Sequence, residues 1–244
     1  MSLSRIVCWF SCGIASAVAA KIMVDEFGDR VHVVHCDTLA SEHPDNRRFL
    51  LDAQSWIRST INTIKSSRFD SVDEVFEHRK YMSGIAGAPC TVEMKKRPRF
   101  EFQRADDIHV FGMTKDEQSR SVLFQRNNPE LRLWWPLIRA NLTKSDCMEI
   151  IIEAGIKPPA LYALGYKNNN CLGCVKASSP AYWNSIRRDF PEVFQKRAEQ
   201  SRKFGSKLVN LGGKRVFLEE LPVSDNTEID EDLSCGPQCS GGQP

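Results

Sequence analysis

The stretch Arg5–Ser16, RIVCWFSCGIAS, decides the fold, because one tight loop joins a short apolar run to a helical pattern. Arg5–Phe10 predicts a buried strand. Gly13–Phe27 predicts a helix that ends at Gly28. When strands alternate with helices in this way, a mostly parallel sheet with helices on both faces is expected. The fold class is therefore predicted to be α/β and doubly wound.

The same alternation continues outward from this stretch. The sequence predicts further strands at residues 30–36, 60–65 and 107–112, helices at 45–57, 72–78, 146–154 and 180–204, a polar loop at 114–121, an extended run at 131–138 and a hairpin with a Gly–Gly turn at 207–220. From Pro222 the chain becomes polar, acidic and glycine-rich. We therefore expect one α/β nucleotide-binding domain with a cysteine-rich site over residues 1–221, and a flexible tail over residues 222–244.

The bulk composition is that of a soluble globular protein. Of 244 residues, 41% are hydrophobic and 26% are charged, and Lys+Arg minus Asp+Glu is 33 − 31 = +2. This balance gives no argument for or against a nucleic-acid partner. We find no apolar run of membrane-spanning length and no signal-peptide pattern, so we expect a cytoplasmic protein without a membrane partner.

The loop after the first strand has features of an anion site. Gly13 would let the backbone approach a ligand closely, and a helix start offers free N–H groups to phosphate. Ser11 and Ser16 add hydroxyl groups, but the Gly-Lys-Ser/Thr ending of a Walker loop is absent. An ordinary tight turn between a strand and a helix remains open. The candidate nucleotide-binding residues are Ser11, Cys12, Gly13, Ile14, Ala15 and Ser16.

The segment SCGIAS resembles the PP-loop, Ser-Gly-Gly-x-Asp-Ser, of the adenine nucleotide α-hydrolase superfamily. Cys12 stands where a glycine is usual and Ala15 where an aspartate is usual. Further segments resemble the phosphoadenosine/adenosine phosphosulfate reductase branch in the same order: HCDTLASEHPDNRRFLLDAQ, CTVEMKKRP, GMTKDEQSR, WPLI and PPALYALGYKNNNCLG. This resemblance implies a PP-loop fold and an adenine nucleotide such as ATP, APS or PAPS.

The resemblance also implies residue roles and partners. It adds Asp37 and Thr38 to the nucleotide site, and Lys115 and Arg120 as contacts to the anionic part of the substrate. It implies a thiol reductant such as thioredoxin. The sequence leaves the oligomeric state open, a homodimer included.

Nine cysteines are many for a cytoplasmic chain, where cysteines more often serve metal binding or catalysis than disulfides. Cys8, Cys36 and Cys147 lie in apolar segments and are expected to be small buried residues. The other six are expected to need another role: Cys12, Cys90, Cys171, Cys174, Cys235 and Cys239. The C-x-x-C spacing of Cys171 and Cys174 suits two ligands of one metal, and Cys90 is the natural third.

The resemblance implies a [4Fe–4S] cluster at these cysteines, with zinc as the alternative. Thr91 occupies the position of one family ligand, which leaves a tail cysteine, the substrate or solvent to fill the fourth position. The predicted metal set is Cys90, Cys171, Cys174 and Cys239. Cys235-Gly236 resembles the Glu-Cys-Gly motif of the reductase tail. This match implies that Cys235 is the nucleophile that attacks the sulfur of the bound nucleotide.

Three functions are open at this point. The leading hypothesis is an oxidoreductase of sulfur metabolism resembling phosphoadenosine or adenosine phosphosulfate reductase. The second is an ATP-dependent iron–sulfur transferase similar to the DNA-phosphorothioation enzymes, which carry the Cys-Thr form seen at Cys90–Thr91 and would use a nucleic-acid acceptor. The third is a non-catalytic nucleotide-binding protein with structural zinc, favoured by the missing carboxylate at Ala15.

Overall fold

A parallel sheet forms the centre of the molecule. The computed structural model describes residues 4–84 and 87–224, and in that part of the chain the sheet has five strands: β1 Ile6–Phe10, β2 Val31–Cys36, β3 Ile61–Ile64, β4 Ile108–Phe111 and β5 Arg132–Trp134. Their order is β3-β2-β1-β4-β5, and every neighbouring pair is parallel. The predicted doubly wound α/β class is confirmed, with β1 at the centre of the sheet.

Helices connect and cover the strands. Their bounds are α1 Ile14–Phe27, α2 Asn46–Ile57, α3 Val72–Arg79, α4 Pro89–Thr91, α5 Arg97–Phe102, α6 Gln118–Asn127, α7 Pro136–Arg139, α8 Lys144–Glu153, α9 Ala160–Ala163, α10 Pro180–Asp189 and α11 Pro191–Lys203. A π-helical turn, Val92–Lys96, joins α4 to α5. A small antiparallel hairpin follows α11, formed by β6 Val209–Leu211 and β7 Lys214–Val216 with the predicted Gly–Gly turn. Within the described residues, none of these helices has both the length and the apolar character needed to cross a bilayer.

Two sequence predictions of local structure are wrong. Residues 114–121, expected to be a loop, form a 3₁₀ turn and the start of α6, because Thr114 and Glu117 form a capping box. In it, the backbone N–H of Thr114 donates to Glu117 Oε2 at 3.1 Å. The run 131–138 is extended only over β5, since Pro136 begins α7 and proline fits the first turn of a helix. Residues 114–121 have no apolar side chains that would indicate a helix, so the helix start was not recognised from the sequence.

Alternate residues of β1 face opposite sides of the sheet. Ile6, Cys8 and Phe10 pack in a cluster with α1 and α2, whereas Val7 and Trp9 pack in a second cluster with Phe111 and Phe124. Both faces of the sheet are therefore covered, as the prediction required. The three cysteines expected to be buried are buried: Cys8, Cys36 and Cys147.

A third apolar cluster lies beside the sheet and joins two distant parts of the chain. It combines residues 69–94 with residues 161–221. Asp73 on α3 accepts hydrogen bonds from Arg197 and Gln200 on α11. Although burial opposes it, the cations of α11 hold the pKa of the Asp73 carboxyl at about 2. The cysteine-bearing segments belong to this third cluster.

The carboxyl ends of β1, β2 and β4 meet at one edge of the sheet, where open α/β sheets bind their ligands. Gly112, just after β4, makes this edge compact. A Cβ atom at Gly112 would lie 2.7 Å from the backbone nitrogen of Ser16 and 2.8 Å from its Cα. The absence of a side chain at Gly112 therefore lets the start of α1 lie directly against the end of β4.

Candidate functional site

The loop between β1 and α1 is held together by its two serines. Ser16 Oγ donates to the carbonyl of Gly13 at 2.8 Å and accepts from the backbone N–H of Ser11 at 3.1 Å. Ser11 Oγ donates to Ser16 Oγ at 3.2 Å. Among the described residues, no side chain caps the start of α1 at Gly13. The N–H groups of the first turn and the positive end of the helix dipole are therefore available to an anion.

Cys12 has a structural role that the sequence did not suggest. Its side chain is fully buried in the cluster between β1 and α1, and its φ of 56° lies in the left-handed region that favours glycine. Burial raises the pKa of the Cys12 thiol well above its usual range. The expectation that Cys12 needs a role other than burial is therefore wrong.

A cavity of about 160 Å³ lies beside this loop. It is lined by Trp9, Ser11, Gly13, Ala15, Ser16, Gly112, Thr114, Asp116, Glu117, Lys144, Tyr162, Asn168, Asn169 and Asn170. Four of the predicted loop residues are thus brought together here, while Cys12 and Ile14 point into the core. A Cβ atom at Gly13 would lie 3.7 Å from both Ser11 Oγ and Tyr162 Oη. A side chain at Gly13 would therefore cause no steric clash within the protein and would occupy part of the cavity.

Lys144, at the start of α8, lines this cavity and hydrogen-bonds Asn168. Lys115 and Arg120 do not line it. Lys115 is exposed, and Arg120 forms an ion pair with Glu117, which does line the cavity. Sequence reasoning missed Lys144 because it follows an ordinary helix cap and matches no motif. The role predicted for Lys115 and Arg120 stays a prediction.

Asp37 and Thr38 lie at the end of β2, and they line a different cavity of about 400 Å³ together with Arg47, Lys65 and Ser66. The structure therefore does not bring Asp37 and Thr38 into the cavity of the β1–α1 loop. Their predicted contact with the nucleotide stays a prediction.

A chain of buried polar side chains connects the ends of β2 and β1. Thr38 Oγ1 donates to Glu42 Oε1 at 2.6 Å, and Asn46 Nδ2 donates to Glu42 Oε2 at 2.7 Å. Asn169 Nδ2 donates to Asn46 Oδ1 at 2.8 Å and to the carbonyl of Cys12 at 2.7 Å. Asn169 lies two residues before Cys171. These hydrogen bonds therefore tie the segment just before Cys171 to the β1–α1 loop.

Three of the predicted metal ligands line one small cavity of about 20 Å³. Cys90, Cys171 and Cys174 surround it with Thr91, whose buried Oγ1 has no hydrogen-bond partner among the described residues.

Within residues 4–84 and 87–224, no group of three or more His, Cys, Asp or Glu side chains is arranged to hold a metal ion. The described residues alone therefore do not form a cluster site or a zinc site. Cys235 and Cys239 lie outside the described residues.

Comparison with known proteins agrees with this architecture. The fold is similar to that of phosphoadenylyl-sulfate (PAPS) reductase from Candida auris, solved as a phosphate complex, with a TM-score of 0.50 over 70% of this chain and 82% of that chain. The sequences are 15% identical, so the likeness concerns the fold alone. No protein-family model matches the sequence, and no curated protein matches it. The chain therefore has a PAPS reductase-like, PP-loop-type fold, as the sequence predicted.

Proposed function

We propose that the chain is an adenine-nucleotide-binding enzyme of sulfur metabolism that resembles phosphoadenosine or adenosine phosphosulfate reductase. The observation that carries this proposal is the uncapped start of α1 beside a polar cavity, at the carboxyl end of the central strand. Ligands of doubly wound sheets bind at this edge. The PAPS reductase-like fold supports the same location.

In this proposal the phosphates of the nucleotide lie against the first turn of α1. The backbone N–H groups after Gly13 donate to phosphate oxygens, and Lys144, which lines the same cavity, adds positive charge. Ala15 provides no carboxylate at the position where the PP-loop usually has one. The proposed reaction therefore does not depend on an acidic side chain at the loop.

The proposed chemistry is attack by a cysteine thiolate on the sulfur of the nucleotide sulfate, and Cys235 is its proposed nucleophile. A sulfur–sulfur bond forms, the bond from sulfur to the bridging oxygen breaks, and the adenine nucleotide leaves with the electron pair on its phosphate oxygen. A thiol reductant such as thioredoxin then attacks the cysteine sulfur, releases sulfite and leaves a disulfide. The described cysteines do not form a metal site by themselves, so no step of this scheme uses one.

The test is a substitution in the loop. Gly13→Val should lower the affinity for ATP and PAPS at least tenfold, because its side chain would enter the cavity near Ser11 and Tyr162. The backbone at Gly13 has a φ of −101°, which valine tolerates, so the fold should persist. Calorimetric titration measures the affinity, with Ala154→Val at the exposed end of α8 as the matched control. Unchanged affinity in Gly13→Val would exclude the loop from the site.

A basic cavity next to the cysteines favours the sulfur transferase as the second candidate. Lys176, Lys207 and Arg215 line a space of about 380 Å³, and Lys176 also lines the cysteine cavity. Cations beside the reactive cysteines would suit a phosphate backbone as the acceptor. Product analysis separates the candidates: the reductase releases sulfite, whereas the transferase leaves sulfur in the acceptor and hydrolyses ATP.

A further inference from the structure

Asn169 is a residue of the nucleotide cavity whose side chain is buried and has one hydrogen-bonding atom without a partner among the described residues. The residue is 7% exposed and lines the cavity beside the β1–α1 loop. Both hydrogens of its amide are used, in bonds to the Cys12 carbonyl and to Asn46 Oδ1. Its Oδ1 has no hydrogen-bond partner within residues 4–84 and 87–224. A buried acceptor without a donor is rare in folded proteins, so this atom requires an explanation.

The orientation of the Asn169 amide is fixed from two sides. The backbone carbonyl of Cys12 can only accept, so it requires the NH₂ group of Asn169. On the other side, the Glu42 carboxylate accepts from Asn46 Nδ2, which leaves Asn46 to present its own oxygen to Asn169. Exchanging the oxygen and nitrogen of Asn169 would place acceptor against acceptor at both contacts. The unpartnered atom is therefore the oxygen, and the missing partner is a donor.

We propose that Asn169 Oδ1 accepts a hydrogen bond from the nucleoside part of the bound adenine nucleotide, and that it selects ligands carrying this donor. The inference rests on the proposed function and extends it to ligand specificity. Phosphate oxygens are acceptors, so they cannot serve Asn169 Oδ1. The donors of the nucleoside are the exocyclic amine of the base and the hydroxyl groups of the ribose. A ligand without the matching donor leaves the buried oxygen unpaired, and such a mismatch discriminates strongly between ligands.

The experiment compares four nucleotides on the full chain: AMP, IMP, 2′-deoxy-AMP and 3′-deoxy-AMP. AMP contains the groups that ATP and APS share, IMP replaces the exocyclic amine by oxygen, and each deoxy compound lacks one hydroxyl. We expect one of the three analogues to bind the unaltered protein at least tenfold more weakly than AMP by calorimetry. The identity of that analogue assigns the donor to the base or to the sugar. This comparison needs no variant to fold.

The variant Asn169→Ala separates recognition from support of the loop. We expect it to bind AMP about as weakly as it binds the discriminated analogue, so that the preference of the unaltered protein disappears. Equal weakening of all four nucleotides, with the preference kept, would assign Asn169 a structural role and overturn the inference. Equal affinities in the unaltered protein would overturn it too while leaving the proposed function intact. Failure of the unaltered protein to bind AMP would count against the proposed function itself.

Discussion

At the scale of the residue, Cys12 lies in a loop, as the sequence predicted, but its side chain is buried, which the sequence did not indicate. Its neighbours in the chain predicted a loop, and the loop is confirmed, with α1 starting at Ile14. Its burial could not be predicted, because the left-handed backbone at Cys12 turns the side chain back into the core. That turn depends on packing against α1 and β1, which no local pattern records. Ser16 lies in the first turn of α1, inside the predicted helix, and its hydroxyl closes the loop.

The burial of Cys12 predicts its reactivity. With iodoacetamide at neutral pH, the folded protein should leave Cys12 unmodified, because the thiol is inaccessible and its pKa is raised well above the usual range. Cys36, whose pKa burial raises to about 12, is the internal comparison and should be equally protected. Peptide mass spectrometry measures the modification, and the unfolded chain in guanidinium provides full labelling. Rapid native labelling of Cys12 would contradict the geometry of the loop.

At the scale of the element, most strands and helices could be predicted, whereas the charged start of α6 could not. β1 to β4 match their predicted positions closely, because buried parallel strands are continuous apolar runs. The start of α6 was mistaken for a loop, since its charged residues show no apolar face and its cap was not recognised. Thr143 and Asp146 form a capping box at the start of α8. That helix was predicted because apolar residues follow its start.

The element β4 also predicts an acid sensitivity. Its His109 is buried, and its Nδ1 accepts a hydrogen bond from Trp9 Nε1 at 3.1 Å, which requires a neutral ring at that nitrogen. Burial and nearby Arg99 lower the pKa of His109 from 6.5 to about 4. Between these values the unfolded chain binds a proton that the folded chain does not. The stabilisation from neutral His109 is therefore complete above pH 6.5 and declines as the pH falls to 4.

The expected loss is roughly 3 kcal/mol in the free energy of unfolding between pH 6.5 and pH 4. Urea titrations at several pH values measure this loss. His109→Gln keeps an acceptor for Trp9 but cannot be protonated, so its stability should change less over the same interval. A variant with the same pH dependence as the unaltered protein would show that His109 does not cause the acid sensitivity.

At the scale of the whole molecule, the arrangement of the cysteines could be predicted only in part. The spacing of Cys171 and Cys174 brings them to one cavity, and Cys90 reaches it across 80 residues of chain, as the sequence predicted. The third apolar cluster makes this possible, because it packs α3 and α4 against α10 and α11. Packing between distant segments leaves no pattern in the local sequence. The approach of Cys90 to Cys171 and Cys174 was therefore indicated by the resemblance to a family.

The last prediction concerns the contribution of residues 225–244 to folding, nucleotide binding and metal content. The described residues form three apolar clusters among themselves, so we expect a chain ending at Ser224 to keep its circular dichroism spectrum and to bind AMP within about twofold of the full chain. We expect that shorter chain to lose iron and sulfide after anaerobic purification, because the described cysteines do not close a metal site without further ligands.

In the full chain, Cys239→Ser should lower the metal content. Cys235→Ser should retain the metal but fail to form the cysteine–sulfur adduct that we expect mass spectrometry to detect in the unaltered protein, since oxygen is a far poorer nucleophile than a thiolate. Full metal content in the chain ending at Ser224 would exclude Cys239 as a ligand. An adduct that persists in Cys235→Ser would exclude Cys235 as the nucleophile and require another cysteine in its place.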